Sequence, residues 1–274
     1  MKLLRYTASN GQTMELDGPV VYVGTAANLR SRSWQYELGF RELYSVRRGA
    51  REVTLEIAAP YAQADAFRRL TEMDMAAQQP GTFTVGQWSQ RAYIAASEPQ
   101  IIGGGDVLSE LNVLLMDGYW WRLRSEEFHI PSGGGLGGHL DFPFDLPTDL
   151  GKNPDRSSVE SATLTPSNIR LTIFGPAVNP YIIIGGNTYQ VDVSVASGAR
   201  LEVDGRDSTI HLISSSGVVT DCFQYGVRTT GLGGGSYIFE PLKAGPQQVT
   251  WDGSFEFILG WYEEEGAPPW NPLA

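Results

Sequence analysis

The sequence predicts a mainly β protein, built as two β-sandwich-like domains with one α-helix in the first. Three observations predict it. Glycine (32 residues) and proline (16) punctuate short apolar runs along the whole chain, which is the spacing of strands joined by turns. Several runs alternate with period two. Only one segment has the three-and-four spacing of a helix.

In the first half, Trp34, Tyr36, Leu38 and Phe40 share one face of a strand, opposite Gln35, Glu37 and Gly39. Val53, Leu55 and Ile57 alternate with Glu52, Thr54 and Glu56. Leu111, Val113 and Leu115 alternate with Glu110, Asn112 and Leu114. Tyr119, Trp121 and Leu123 alternate with Trp120, Arg122 and Arg124. The apolar set of each run is assigned to an inward face. Pro60 through Gln79 reads as the helix, with Phe67, Leu70, Met73 and Ala77 on its core side. Pro60 suits its first turn and Pro80-Gly81 ends it.

Residues 131–158 carry glycine runs and four prolines (Pro131, Pro143, Pro147, Pro154) with little periodicity. They read as a linker or long loop, part of which docks through Phe142 and Phe144. Beyond it, candidate strands are Ile169–Phe174, Tyr181–Ile184, Thr188–Val195, Arg200–Asp204, Thr209–Ile213, Val218–Phe223, Ser236–Glu240, Gln248–Trp251 and Ser254–Trp261. Asn187, Asp204-Gly205, Ser216-Gly217 and Asp252-Gly253 supply hairpin turns. So many short strands without a helix signal make a two-sheet sandwich.

Charge and composition exclude several functions. The net charge of −11 opposes a nucleic-acid or anionic-lipid surface, because both need a cationic field. A single cysteine, Cys222, rules out an internal disulfide and a cysteine-rich zinc site. No apolar leader is legible after Met1-Lys2-Leu3-Leu4-Arg5-Tyr6, and no run approaches the ~20 apolar residues of a membrane helix. The expectation is therefore a chain folded in the cytoplasm with no membrane partner.

The candidate chemistry is thin. Gly103–Gly105, Gly133–Gly138 and Gly231–Gly235 precede no helix, so they read as hairpin tips or linkers and not as phosphate cradles. Glu202, Asp204 and Asp207 lie together, but a glycosidase needs carboxylates facing each other across a sugar. Glu263-Glu264-Glu265 reads as a solvated strand edge. Cys222 and His211 lack a third member for nucleophilic chemistry. His129 and His139, with Asp141, match no metal-ligand spacing. Arg47, Arg48, Arg51, Arg68 and Arg69 form a local basic patch, either solvated or paired with an acidic neighbouring copy. Among the aromatics, Trp120 falls on the polar phase of its strand and Trp270 in a proline-rich tail. Both are expected at the surface, as interface anchors. No cofactor is expected.

The order of motifs in the second half resembles the distal tail proteins of siphophages. It runs Leu171-Thr172-Ile173-Phe174-Gly175-Pro176, then Asn179-Pro180 and an apolar strand ending in Gly185-Gly186. Gly198-Ala199-Arg200-Leu201-Glu202-Val203-Asp204 follows, then Pro241-Leu242-Lys243-Ala244-Gly245 and a closing strand through Trp261-Tyr262-Glu263. In the first half, the Asn10-Gly11 turn, the helix after Val53–Ile57, a long β-hairpin and the Tyr119-Trp120-Trp121 strand are similar to the same family. One departure is Leu164-Thr165-Pro166-Ser167-Asn168, where the family often has an Asn-x-Gly turn.

The resemblance implies a ring-forming domain over 1–130, a connector over 131–158 and a galectin-like sandwich over 159–274. Gly175, Pro176, Asn179, Pro180, Gly198, Asp204 and Gly245 are then structural turn residues. It implies a virion structural protein at the tail tip and no enzymatic activity. Its partners would be five further copies in a homo-hexamer, the tail tube protein, the tail hub or tail-associated protein, and receptor-binding or side-fibre proteins. DNA would pass through the lumen. A carbohydrate-binding module contacting the host surface is the alternative, and a glycan-degrading enzyme a third reading.

Overall fold

The computed structural model of the chain describes residues 4–24, 26–130, 157–161 and 165–269. The chain is mainly β, as its patterning predicts, and divides into two compact units. One comprises Met1–Arg122 with Glu264–Ala274, the other Leu123–Glu263. Most of the expected connector (131–156), His139, Asp141 and Trp270 lie outside the described residues.

The first unit contains β1 (Leu4–Thr7), β2 (Thr13–Glu15), β3 (Tyr22–Val23), β4 (Gln35–Leu38), β5 (Leu43–Arg47) and β6 (Arg51–Pro60). Then come α1 (Tyr61–Ala77), β7 (Gly81–Val85), β8 (Trp88–Gly103), β9 (Asp106–Leu115) and the start of β10 (Trp120–Phe128). All pairings are antiparallel. β2, β1, β7, β8, β9, β6 and β3 are neighbours in that order. Inward residues Val53, Leu55 and Ile57 of β6 face the core beside Leu111, Val113 and Leu115 of β9, as the alternation requires. Burying one such side chain stabilises the unit by about 1.5–3 kcal/mol.

Helix α1 closes this core with Phe67 and Thr71. Its first free N–H, on Tyr61, donates to the Gly105 carbonyl at 3.1 Å. Gln78 ends it in the left-handed region, φ 53°, where a helix commonly terminates. The third buried helix residue is Asp74, whereas Met73 and Ala77, expected inside, are exposed. Asp74 is turned inward because it accepts three hydrogen bonds from β1 and the turn after it: Tyr6 Oη at 2.5 Å, Ser9 Oγ at 2.6 Å and the Ser9 N–H at 3.0 Å. Trp120 is also reversed. It is fully buried in the same core, not at the surface, because its neighbours Tyr119 and Trp121 take the half-exposed phase. After residue 263 the chain returns to this unit, where the Pro269 carbonyl accepts from Arg30 Nε.

The second unit contains β11 (Ser157–Ser161), β12 (Ile169–Phe174), β13 (Ala177–Val178), β14 (Tyr181–Ile184), β15 (Asn187–Gln190) and β16 (Ser194–Val195). β17 (Arg200–Asp204), β18 (Thr209–Ile213), β19 (Val219–Asp221), β20 (Gly245–Thr250) and β21 (Phe257–Glu265) complete it. One sheet runs β19-β18-β17-β12-β21 and a second β11-β20-β14-β15. Leu171, Leu201 and Leu259 of the first sheet and Val159, Ile182 and Val249 of the second belong to one buried cluster, the sandwich expected from the strand spacing. Phe128 stacks on Phe257 within it, centroids 4.5 Å apart. Ser236–Glu240 is irregular, not a strand. The Asn187 side chain takes both backbone groups of Tyr237, at 3.0 and 3.1 Å, and so replaces ladder partners there.

Candidate functional site

The residues proposed from sequence as chemistry are occupied with structure. Glu202 accepts from Arg200 at 2.7 Å and lies 3.5 Å from Arg170. Asp204 accepts from the Arg206 N–H at 2.9 Å and from Tyr262 Oη at 2.6 Å, which fixes the β17–β18 turn. Cys222 is buried, with its thiol pushed up by desolvation. Its N–H bonds the Ile210 carbonyl, while His211, one residue on, takes the opposite face of β18. His129 sits 3.7 Å from Glu127 and 3.5 Å from Glu256. Among the described residues, no three His, Cys, Asp or Glu side chains converge in a way that would hold a metal. Glu263, expected in solvent, is buried against Arg124 at 3.4 Å, and only Glu265 of that run is exposed.

The turn residues stand at separate strand ends. A Cβ on Gly175 would meet the Ala196 carbonyl oxygen at 1.9 Å, and the Gly175–Pro176 bond is cis. Asn179, Gly198 and Gly245 have φ of 46°, 77° and 81°, and glycine or asparagine serves there without a steric conflict. None of them lines either of two cavities, one in each unit. A cavity in the second unit, lined by Gly185, Gly233, Gly235, Glu240 and Lys243, measures about 110 Å³, below the ~300–1,000 Å³ of small-molecule sites.

Two surfaces of the first unit stand out. The first is a row of carboxylates. The register sets Glu56 of β6 directly opposite Glu110 of β9, and Glu110 directly opposite Glu98 of β8. Strands are spaced about 4.8 Å apart, so the three charges cross the outward sheet face within about 10 Å. Glu56 and Glu98 are exposed and Glu110 half-exposed. No ion pair among the described residues neutralises any of them. Like charges directly opposite are destabilising, so an isolated protomer gains nothing from this row. Glu52 lies on the same face and accepts from Asn112 Nδ2.

The second is the β4–β5 ribbon. Every residue of both strands is exposed. Tyr36 is opposite Val46 and Leu38 opposite Leu43, so apolar side chains meet on one face. Gln35, Glu37, Ser45 and Arg47 pair on the other. Trp34, Tyr36, Leu38 and Phe40, expected inside, are therefore outside, with Leu38 at 73%, Tyr44 at 75% and Phe40 at 95% of full exposure. The period of two holds in the ribbon, but nothing among the described residues covers its apolar side. At the base, Arg48 stacks on Trp34 at 4.1 Å, and Arg51 donates to Ser31 Oγ and the Leu29 carbonyl. Arg68 is held between Asp65 and Glu72 on α1. The five arginines do not form one patch.

This geometry describes a β-rich chain with an exposed apolar ribbon and an exposed carboxylate row. In sequence, no family model and no curated protein matches the chain. In structure, it matches a chain of the phage P2 baseplate in its activated conformation with Ca, at TM-score 0.60 and 8% identity, over 97% of this chain and 98% of that one. The phage p2 baseplate activated with Sr gives the same values. SPP1 Dit (gp 19.1), described as a paradigm of the hub adsorption apparatus in phages infecting Gram-positive bacteria, matches at TM-score 0.52 and 10% identity, over 96% and 98%. The chain thus shares, over nearly its whole length, the fold of phage baseplate and Dit hub proteins.

Proposed function

We propose that this chain is a structural protein of a phage tail tip, a distal tail adapter that acts by assembling and catalyses no reaction. The observation that carries the reading is the end-to-end likeness to SPP1 Dit and to the baseplate chains, covering both units at once. The protomer's own surfaces support it. A fully exposed amphipathic ribbon needs a protein partner, since a two-stranded hairpin alone is marginally stable in water. The carboxylate row suits a wall that faces a passing polyanion. Closely spaced negative charges repel DNA phosphates and keep the duplex from adhering.

In this reading the first unit closes a ring of six copies that joins the tail tube to the hub, and the Glu56–Glu110–Glu98 face lines its channel. Six copies carry six times the chain's charge of −11. The second unit, a galectin-like sandwich in this reading, projects toward receptor-binding or side-fibre proteins. Light scattering and negative-stain microscopy of the purified protein test this. The expected result is an annular particle of about 180 kDa, six times 30.0 kDa. A protein that stays monomeric at all concentrations, and also when mixed with the tail tube protein of the same phage, would overturn it.

A further inference from the structure

The ribbon's tip and the helix are complementary surfaces on one chain. Gly39 through Glu42 form the β4–β5 turn, closed by the Gly39 N–H on the Glu42 carbonyl at 2.8 Å. Phe40 projects from this turn almost fully exposed, with the Arg41 guanidinium over its ring at 5.3 Å. A cavity of about 270 Å³ opens between the first half of α1 (Tyr61, Ala64, Asp65) and the ends of β8 and β9 (Pro99, Val107, Ser109). An apolar cavity of about 150 Å³ already accepts benzene, so this one has the volume for a phenyl ring. Asp65, largely exposed, and Arg68, 3.5 Å from it, both stand among the lining residues, so an incoming guanidinium would share Asp65 with Arg68.

Charge points the same way. Residues 30–51, the ribbon and its base, hold six arginines against two glutamates, a net +4 in a chain of total −11, which leaves −15 for the remainder. The ribbon is a basic island, and the surface of another copy of this chain is an acidic partner for it. Phe40 is nearly fully exposed in its own protomer, which leaves it available to a cavity on a second copy.

We propose that Phe40 of one copy seats in the α1–β8–β9 cavity of the next, with Arg41 meeting Asp65 at its mouth. Tip and cavity are different patches, so the contact is head-to-tail. Such a contact repeats from copy to copy and closes into a ring when the rotation allows. The inference rests on the self-assembling reading above and adds the pair of surfaces that would do the joining.

Cysteine cross-linking of the full chain tests it. Arg41→Cys combined with Asp65→Cys keeps Phe40 as the anchor, and native Cys222 is buried and silent. Mild oxidation should give a ladder of covalent oligomers on a non-reducing gel, and neither single variant should. Adding Phe40→Ala should cut the cross-linked yield at least about tenfold, the scale of a central aromatic anchor. Phe40→Ala alone should leave the thermal midpoint of the protomer unchanged, because the ring packs on no core.

Annular particles without the ladder would overturn this contact and leave the tail-tip reading standing. Absence of the ladder, together with a protein that stays monomeric even beside the tail tube protein, would overturn the two together. Dimers alone would mean a symmetric contact and overturn it. Flotation with anionic phospholipid vesicles that depends on Phe40, without a ladder, would assign the ribbon to a lipid surface and overturn it as well.

Discussion

Tyr6 and Asp74, 68 positions apart, are joined by a 2.5 Å hydrogen bond, and neither is accessible to solvent. The phenol of β1 thereby holds α1 on the sheet. It also helps to satisfy a carboxylate that would otherwise be buried at high cost. Tyr6 further packs edge-on to Phe67, centroids 5.8 Å apart. The Tyr6→Phe variant keeps that contact and removes only the hydroxyl. It should lose about 1–3 kcal/mol, measured by urea unfolding. An unchanged midpoint would show that the hydrogen bond does not fasten the helix.

Alkaline pH should expose the same design. Burial, then Asp74, hold the Tyr6 hydroxyl protonated well above the ordinary tyrosine range. Burial and Glu240 do so for Tyr189, and burial and Asp204 for Tyr262. Each folded pKa is raised above its unfolded value near 10. The unfolded chain therefore releases protons that the native one retains. Stability is whole below pH ~10 and falls as pH rises beyond it, by up to about 1.4 kcal/mol per pH unit for each tyrosine. Unfolding midpoints between pH 8 and 11 check this, and a flat profile would refute it.

The carboxylate row predicts a substitution that stabilises. Glu110 stands between Glu56 and Glu98 and opposes both. Glu110→Gln should raise protomer stability by about 0.2–1 kcal/mol. The gain should shrink as salt is raised from 10 to 500 mM, because screening weakens the repulsion. Thermal melts in the two buffers provide the measurement. A salt-independent gain would mean that packing and not charge was relieved.

Gln90 gives a different test. It is completely buried on the inward face of β8, and neither atom of its amide reaches a partner among the described residues. Burying an amide without a partner costs about 1–3 kcal/mol. Gln90→Met has similar length and no such debt, so its midpoint should rise. Destabilisation would show that the amide is paired in solution, for example through an internal water.

Local signals were legible and side assignments less so. The ends of α1 follow from Pro60 and Pro80, because proline chemistry is local. Strand β17 was readable from its own alternation. Asp74 was not, since its three donors come from β1 and the turn after it, and no periodicity reveals a partner so distant in sequence. Trp120 failed for another reason. Alternation groups residues by face but does not say which face meets the core, and adjacent tryptophans leave that phase undecided. The ribbon is the same ambiguity at larger scale. Trp34, Tyr36 and Leu38 pattern like a core strand, yet nothing among the described residues covers them. The carboxylate row required the register of three strands, which no single stretch of sequence displays.

The first unit recruits residues from both sides of the 123–263 segment, including the Arg30 contact to Pro269. A ribosome making this chain must therefore translate the entire intervening sandwich before the earlier unit receives its last piece. Until then the first unit of a nascent chain is incomplete.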